Sequence, residues 1–139
     1  MDTKRVISVS KHATVLEAVN TMVEGRVGAA PVLEHERLLG VVSERDIVAR
    51  VVFKRLDPTT TPITEVMTAP VATVREDADR STILRLMVEH RVHYLPVVDD
   101  QGRVLEMLSL RHLLRAEVQD LRQTMWALAA DTMVAVCGG

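Results

Sequence analysis

Hydrophobic positions follow two different spacings along this chain, and the order in which those spacings occur is repeated. Val6-Ile7-Ser8-Val9 is a short β-branched run that predicts a strand. Val15, Ala18, Val19, Met22 and Val23 then recur at helical spacing, which predicts an amphipathic helix with that face in the core. Ala30-Pro31-Val32-Leu33 and Leu38-Leu39-Gly40-Val41-Val42, joined by the polar turn Glu34-His35-Glu36, predict an antiparallel hairpin. Ser43 offers an N-cap, and Asp46 an acid in the first turn, to a helix from Glu44 to about Val52.

The same order returns 65 residues later. Met22-Val23-Glu24-Gly25-Arg26-Val27-Gly28-Ala29-Ala30-Pro31-Val32 is answered by Met87-Val88-Glu89-His90-Arg91-Val92-His93-Tyr94-Leu95-Pro96-Val97. Upstream, Val71-Ala72-Thr73-Val74 predicts the matching strand, and Ile83, Leu84, Leu86, Met87 and Val88 the matching helical face. Downstream, Glu106-Met107-Leu108-Ser109-Leu110-Arg111-His112-Leu113-Leu114 answers Gly40 to Val48 after one inserted residue, which falls in the turn Asp99-Asp100-Gln101-Gly102. The pattern predicts a mixed α/β (α+β) fold of two β-α-β-β-α repeats.

The expected organisation is a first copy over 1–55, a linker with a short helix over 56–67, a second copy over 68–118 and a helical extension over 119–139. Leu56-Asp57-Pro58-Thr59-Thr60-Thr61-Pro62 is linker by composition, and Pro62 opens the short helix. Only five residues precede Val6, so the first copy is expected to lack that helix. A copy of about sixty residues buries too little surface to be comfortable alone. Two small sheets packed about a pseudo-twofold axis cover each other and leave two related clefts where ligands are expected.

Composition narrows the function. A net charge of -2 and a pI near 6.2, with signs interspersed, give no field for a nucleic-acid backbone. Phe53, Tyr94 and Trp126 are too few for a base-stacking platform. No apolar run has the length of a membrane span and Met1 to Arg5 lacks a signal core, so a cytoplasmic protein away from membranes is expected. Cys137 is read as an incidental thiol in a frayed tail. No nucleophile with a motif-placed base and no Walker-type loop occurs, so no enzyme is expected.

The duplicated Pro-Val hairpin and the heptad Gly40-Val41-Val42-Ser43-Glu44-Arg45-Asp46 resemble the CBS-domain family, whose paired motifs form a Bateman module. The resemblance covers nearly the whole chain. It implies a stand-alone regulatory pair that binds AMP, ATP or a related adenosyl ligand, needs no other cofactor, and acts as an energy or metabolite sensor on a separate effector protein. It also implies a homodimer. Carried onto this chain, it implies that Asp46 accepts hydrogen bonds from ribose hydroxyls, and that Ser43 and the free N–H groups of the next turn face a phosphate. Gly40 lets the strand approach the ligand, while Ala30 and Pro31 belong to the hairpin element. Arg45 is either a solvated helix residue or a phosphate contact. Ser43 and Asp46 also read simply as a helix cap, which would leave an interaction module with no ligand.

The second copy departs from the heptad: Glu106 replaces the glycine and His112 the aspartate, while Ser109 stays. One working site is therefore expected, with a degenerate partner around Ser109 and His112. In the family a His and an Arg before the Leu-Pro-Val element reach phosphates; here His93 keeps the first and Tyr94 replaces the second. Phosphate binding is then expected to rest less on fixed charge, and His93 to make it respond to pH near neutrality. Both residues also read as packed strand positions. His90, His93 and His112 match no zinc spacing, and no metal is expected.

From Leu110 the last helix runs on past the repeat, with Leu113, Leu114, Val118, Leu121, Met125 and Leu128 forming an apolar stripe. Such a stripe needs cover from its own module or from the same helix of another chain, and Trp126 suits either contact. Beyond Ala130 no cap is evident, and a loose end is expected.

Overall fold

A computed structural model describes the backbone of residues 6–137, with side chains as far as Asp131. Strand β1 (Val9–Ser10) leads into helix α1 (Val15–Gly25), and β2 (Ala29–Glu34) and β3 (Arg37–Ser43) follow. Helix α2 (Glu44–Asp46) continues as a π-helical stretch, Ile47–Val52. After the linker and a 3-10 turn (Ile63–Glu65) come α3 (Arg80–His90), β4 (Tyr94–Val98), β5 (Val104–Ser109) and α4 (Leu110–Cys137).

Local chemistry accounts for the boundaries. Thr14 caps α1 in a capping box with Glu17, and Asp79 caps α3 through the N–H of Thr82. The first hairpin turns on two residues, His35 and Glu36, both at positive φ (49° and 70°), as a tight hairpin loop with the strands' twist requires. The second has a longer loop closed by Asp99, which accepts from the N–H groups of Gln101 and Arg103, and Gly102 supplies a φ of 79°.

The first sheet has three strands in the order β1-β2-β3, with β1 parallel to β2 and β2 antiparallel to β3. The second holds β4 and β5 only. The strand expected over Val71 to Val74 shrinks to a single parallel bridge from Val74 to Val97, made by Val74 N–H to Pro96 O and Val98 N–H to Val74 O. Pro96 has no N–H to extend that ladder. The sheets meet through β2 and β5, and Arg37 bridges Arg103 at the hairpin ends.

Two cores form, one per copy. The first collects Val9, Val15, Ala18, Met22, Val32, Val42 and Val51, and it is completed by Ile63 and Val66 from the linker. The second is built on Val74, Ile83, Met87, Leu95 and Val97. Val23 and Val88 correct the expected helical faces: they are 70% and 75% exposed, one step beyond the arc that the sheet covers. At the chain end the expected loose stretch is also corrected in its backbone. α4 stays helical through Cys137, while the side chain of Cys137 and the last two residues lie outside the described part.

Candidate functional site

The sequence order places one helix start from each half at the line where the halves meet. β3 ends at Ser43, whose hydroxyl accepts from the N–H of Asp46 at 3.2 Å and donates to Asp46 Oδ2 at 3.1 Å. Asp46 Oδ2 also takes the N–H of Ser43 at 2.9 Å, closing a reciprocal cap. Oδ1 accepts from the Thr68 hydroxyl at 3.0 Å, and Arg50 Nε lies 3.9 Å away. Asp46 is only 8% exposed, so these bonds fix the carboxylate in one orientation.

Beside this cap lies a cleft of about 530 Å3, within the range that takes small ligands. Ser43, Glu44, Arg45, Asp46, Ala49 and Arg50 form its first-copy wall; His90, Arg91, Val92, His93 and Tyr94 form the second-copy wall; Thr68 and Val71 lie between. Arg50 is engaged with the carbonyls of Val66 and Met67 at 3.1 and 2.8 Å. Arg45 and Arg91 have no ion pair among the described residues and line the cleft from opposite halves. The cleft is thus lined by arginines from both halves and by the carboxylates of Glu44 and Asp46.

Of the residues read from the sequence, Ser43, Arg45, Asp46, His93 and Tyr94 come together on this wall. Gly40, Ala30 and Pro31 do not. Ala30 and Pro31 are fully buried in β2, and Gly40 faces the linker: a Cβ there would stand 2.6 Å from the carbonyl oxygen of Thr68. Its lack of a side chain is demanded by the Val41–Thr68 pairing, where each N–H meets the other's carbonyl. The expected open helix start is corrected in part: the N–H of Glu44 goes to Gly28 O at 2.9 Å and that of Asp46 to Ser43.

Arg91, Arg50 and Thr68 were not read from the sequence as site residues. A signal for Arg91 existed: it ends α3 in the left-handed conformation (φ 54°), as Arg26 ends α1 (φ 55°), where glycine is the cheaper residue. Arginine at that position in both copies of the repeat is a departure from backbone preference.

A second cleft of about 410 Å3 is related by the pseudo-symmetry and lined by Arg26, Leu105, Glu106, Ser109, Arg111 and His112. Its cap is rebuilt with histidine: Ser109 Oγ lies 2.9 Å from His112 Nδ1 and accepts the His112 N–H at 3.2 Å. His90 and His93 thus line one cleft and His112 the other. Among the described residues no group of three His, Cys, Asp or Glu gathers to hold a metal ion. No helix among them is long and apolar enough to cross a membrane.

Tyr94 lies on the border of both clefts, beside Gly28. Burial, followed by the nearby Glu44 carboxylate, holds its phenol above the ordinary value, against a smaller opposing effect of Arg111. The hydroxyl is therefore a neutral hydrogen-bonding group at physiological pH.

The family model for the CBS domain matches residues 1–52 and 63–119. The inosine-5'-monophosphate dehydrogenase of Methanocaldococcus jannaschii is 35% identical over 113 residues, which are 81% of this chain but 22% of that protein. The chain thus spans about a fifth of that curated relative. A putative signal-transduction protein with CBS domains from Burkholderia ambifaria superposes with a TM-score of 0.79 at 30% identity, covering 85% of this chain and 86% of the other. CBS domain protein PAE2072 from Pyrobaculum aerophilum, a structure complexed with AMP, superposes with a TM-score of 0.73 at 31% identity over 86% and 94%.

Proposed function

The chain belongs to the CBS-domain family, and on that premise we propose that it is a regulatory module that binds an adenine nucleotide in the cleft of Ser43 and Asp46. The observation that carries this reading is convergence: a fixed hydroxyl–carboxylate pair and two arginines without ion pairs, drawn from different halves, face one cleft of nucleotide size. Asp46 Oδ1 takes one hydrogen bond from Thr68 and keeps acceptor capacity for a ribose hydroxyl. Arg45 and Arg91 supply the charge for phosphate, with His93 beside them. AMP in the PAE2072 structure supports this class of ligand.

Binding of this kind does no chemistry on the nucleotide. The ligand touches both halves, so it favours the arrangement in which they approach, and an effector protein reads that shift. The second cleft, with Glu106 on its wall and His112 in the aspartate's place, binds the nucleotide weakly or not at all. Self-association fits the exposed apolar positions that the repeat duplicates, Val23 with Val88, Val48 with Leu114 and Val52 with Val118.

Calorimetric titration with AMP, ATP, NAD and S-adenosylmethionine tests the reading. At least one is expected to bind with one site per chain, and Asp46→Ala to weaken that binding tenfold or more with the fold retained. A second reading, an interaction module without ligand, draws on the fact that Asp46 already has partners in its own cap. Absence of any thermal stabilisation by all four compounds would favour it.

A further inference from the structure

Helix α4 departs from its counterpart in the first copy. The helical stretch that begins at Glu44 gives out by Val52, and Arg55 follows at positive φ; α4 continues to Cys137. From Val118 to Asp131 residues on every face of this helix are exposed. A projecting helix of that length is marginal in water unless something covers its apolar side.

The stripe identifies the cover. Leu114, Val118, Leu121 and Met125, with Leu128 continuing the register, are spaced four, three, four and three residues apart. That is the a/d spacing of a coiled-coil seam, and Trp126, exposed as well, lies beside it at a b position. The inner positions Leu113, Ala116 and Glu117 are half-buried on another side, and Arg80 clasps Asp120 at 2.6 Å and Glu117 at 3.4 Å, so the body does not occupy the seam.

Residue types within the seam specify the partner. Val118 is β-branched at an a position and leucines hold the d positions, a choice that favours two strands. Flanking charges specify direction: Arg115 and Arg122 occupy e positions, Asp131 a g position, and Glu117 a g position at the edge of the seam, where its 3.4 Å contact with Arg80 is the longer of that arginine's two ion pairs. An antiparallel pair would set arginine against arginine and acid against acid. A parallel pair sets Glu117 against Arg122 of the other helix, twice by symmetry.

We propose that α4 pairs with α4 of a second copy as a parallel two-stranded coiled coil, which brings second half against second half in the dimer. This deepens the self-association proposed above, and the test separates the two. In the full chain carrying Cys137→Ser, Leu114→Cys and Leu121→Cys are introduced singly, and each protein is oxidised mildly. Both are expected to form covalent dimers in high yield, whereas an antiparallel pair can bring at most one of these positions to its own copy. In sedimentation equilibrium, Leu121→Glu is expected to raise the dimer Kd at least about tenfold with unchanged circular dichroism. A dimer in which only one or neither cysteine links overturns the pairing. So does a dimer weakened by Val48→Glu and unmoved by Leu121→Glu, an outcome that leaves association through the duplicated surface standing. A chain monomeric at every concentration overturns both.

Discussion

The phenol hydroxyl of Tyr94 stands in the space that a side chain on Gly28 would occupy, so a Cβ there would overlap it. The repeat aligns Gly28 with His93 and Ala29 with Tyr94, so one large ring crosses the pseudo-axis and meets small residues in return. Gly28→Ala is expected to destabilise the chain by about 1–3 kcal/mol through overpacking, read in denaturant unfolding, and Tyr94→Ala in the same chain should recover part of it.

Gly40 makes the same kind of prediction with a different neighbour. The atom in the way is the Thr68 carbonyl oxygen, which is backbone and cannot swing aside. Gly40→Ala should therefore cost about 1–3 kcal/mol and break the Val41–Thr68 pairing, visible as faster amide exchange at both residues. If the glycine instead served only ligand approach, stability would be unchanged and nucleotide affinity alone would fall.

Arg91 allows stability and binding to be driven in opposite directions. It holds a left-handed helix end that glycine adopts without penalty. Arg91→Gly is expected to raise Tm, in line with about 1 kcal/mol of relieved backbone cost, while weakening AMP about tenfold and leaving adenosine unaffected. A loss of stability together with equal loss for both ligands would assign Arg91 a packing role.

Acid lability has identifiable sources. Asp79 is held below the usual carboxylate value by hydrogen bonds from Thr82 and then Ser81, and Asp99 chiefly by the N–H of Arg103. A depressed folded value means stability that is present above the unfolded pKa and lost as pH falls through the folded one. Stability is therefore expected to be flat near neutrality and to decline below about pH 4. Asp79→Asn keeps an acceptor at the cap without a titrating group, so its acid decline should be shallower in thermal melts at stepped pH.

Much of this architecture is legible in the sequence. Both hairpins, both amphipathic helices and the Ser43 cap follow from local spacing and turn chemistry, which act over a few residues. The family resemblance pointed to the cleft beside Ser43 and Asp46. What escaped depends on contacts between distant segments. Val23 and Val88 carry the helical period yet lie outside the covered arc, and Gly40 owes its identity to Thr68, 28 residues away. Two of the expected phosphate-facing amides of α2 are taken, one by Gly28 O in the turn between α1 and β2 and one by the Ser43 cap itself. Tyr94 stands where the family has an arginine, and Arg91, which the sequence did not single out, lines the cleft opposite Arg45.

The account turns on where an adenine nucleotide sits. A crystal structure of the chain grown with AMP measures that position directly. The expected density places the ribose hydroxyls within hydrogen-bond distance of Asp46 and the phosphate beside Arg45 or Arg91, with the cleft of Ser109 and His112 empty. A nucleotide seated against Ser109, or none at saturating AMP with the Ser43 cleft filled by protein, would contradict it.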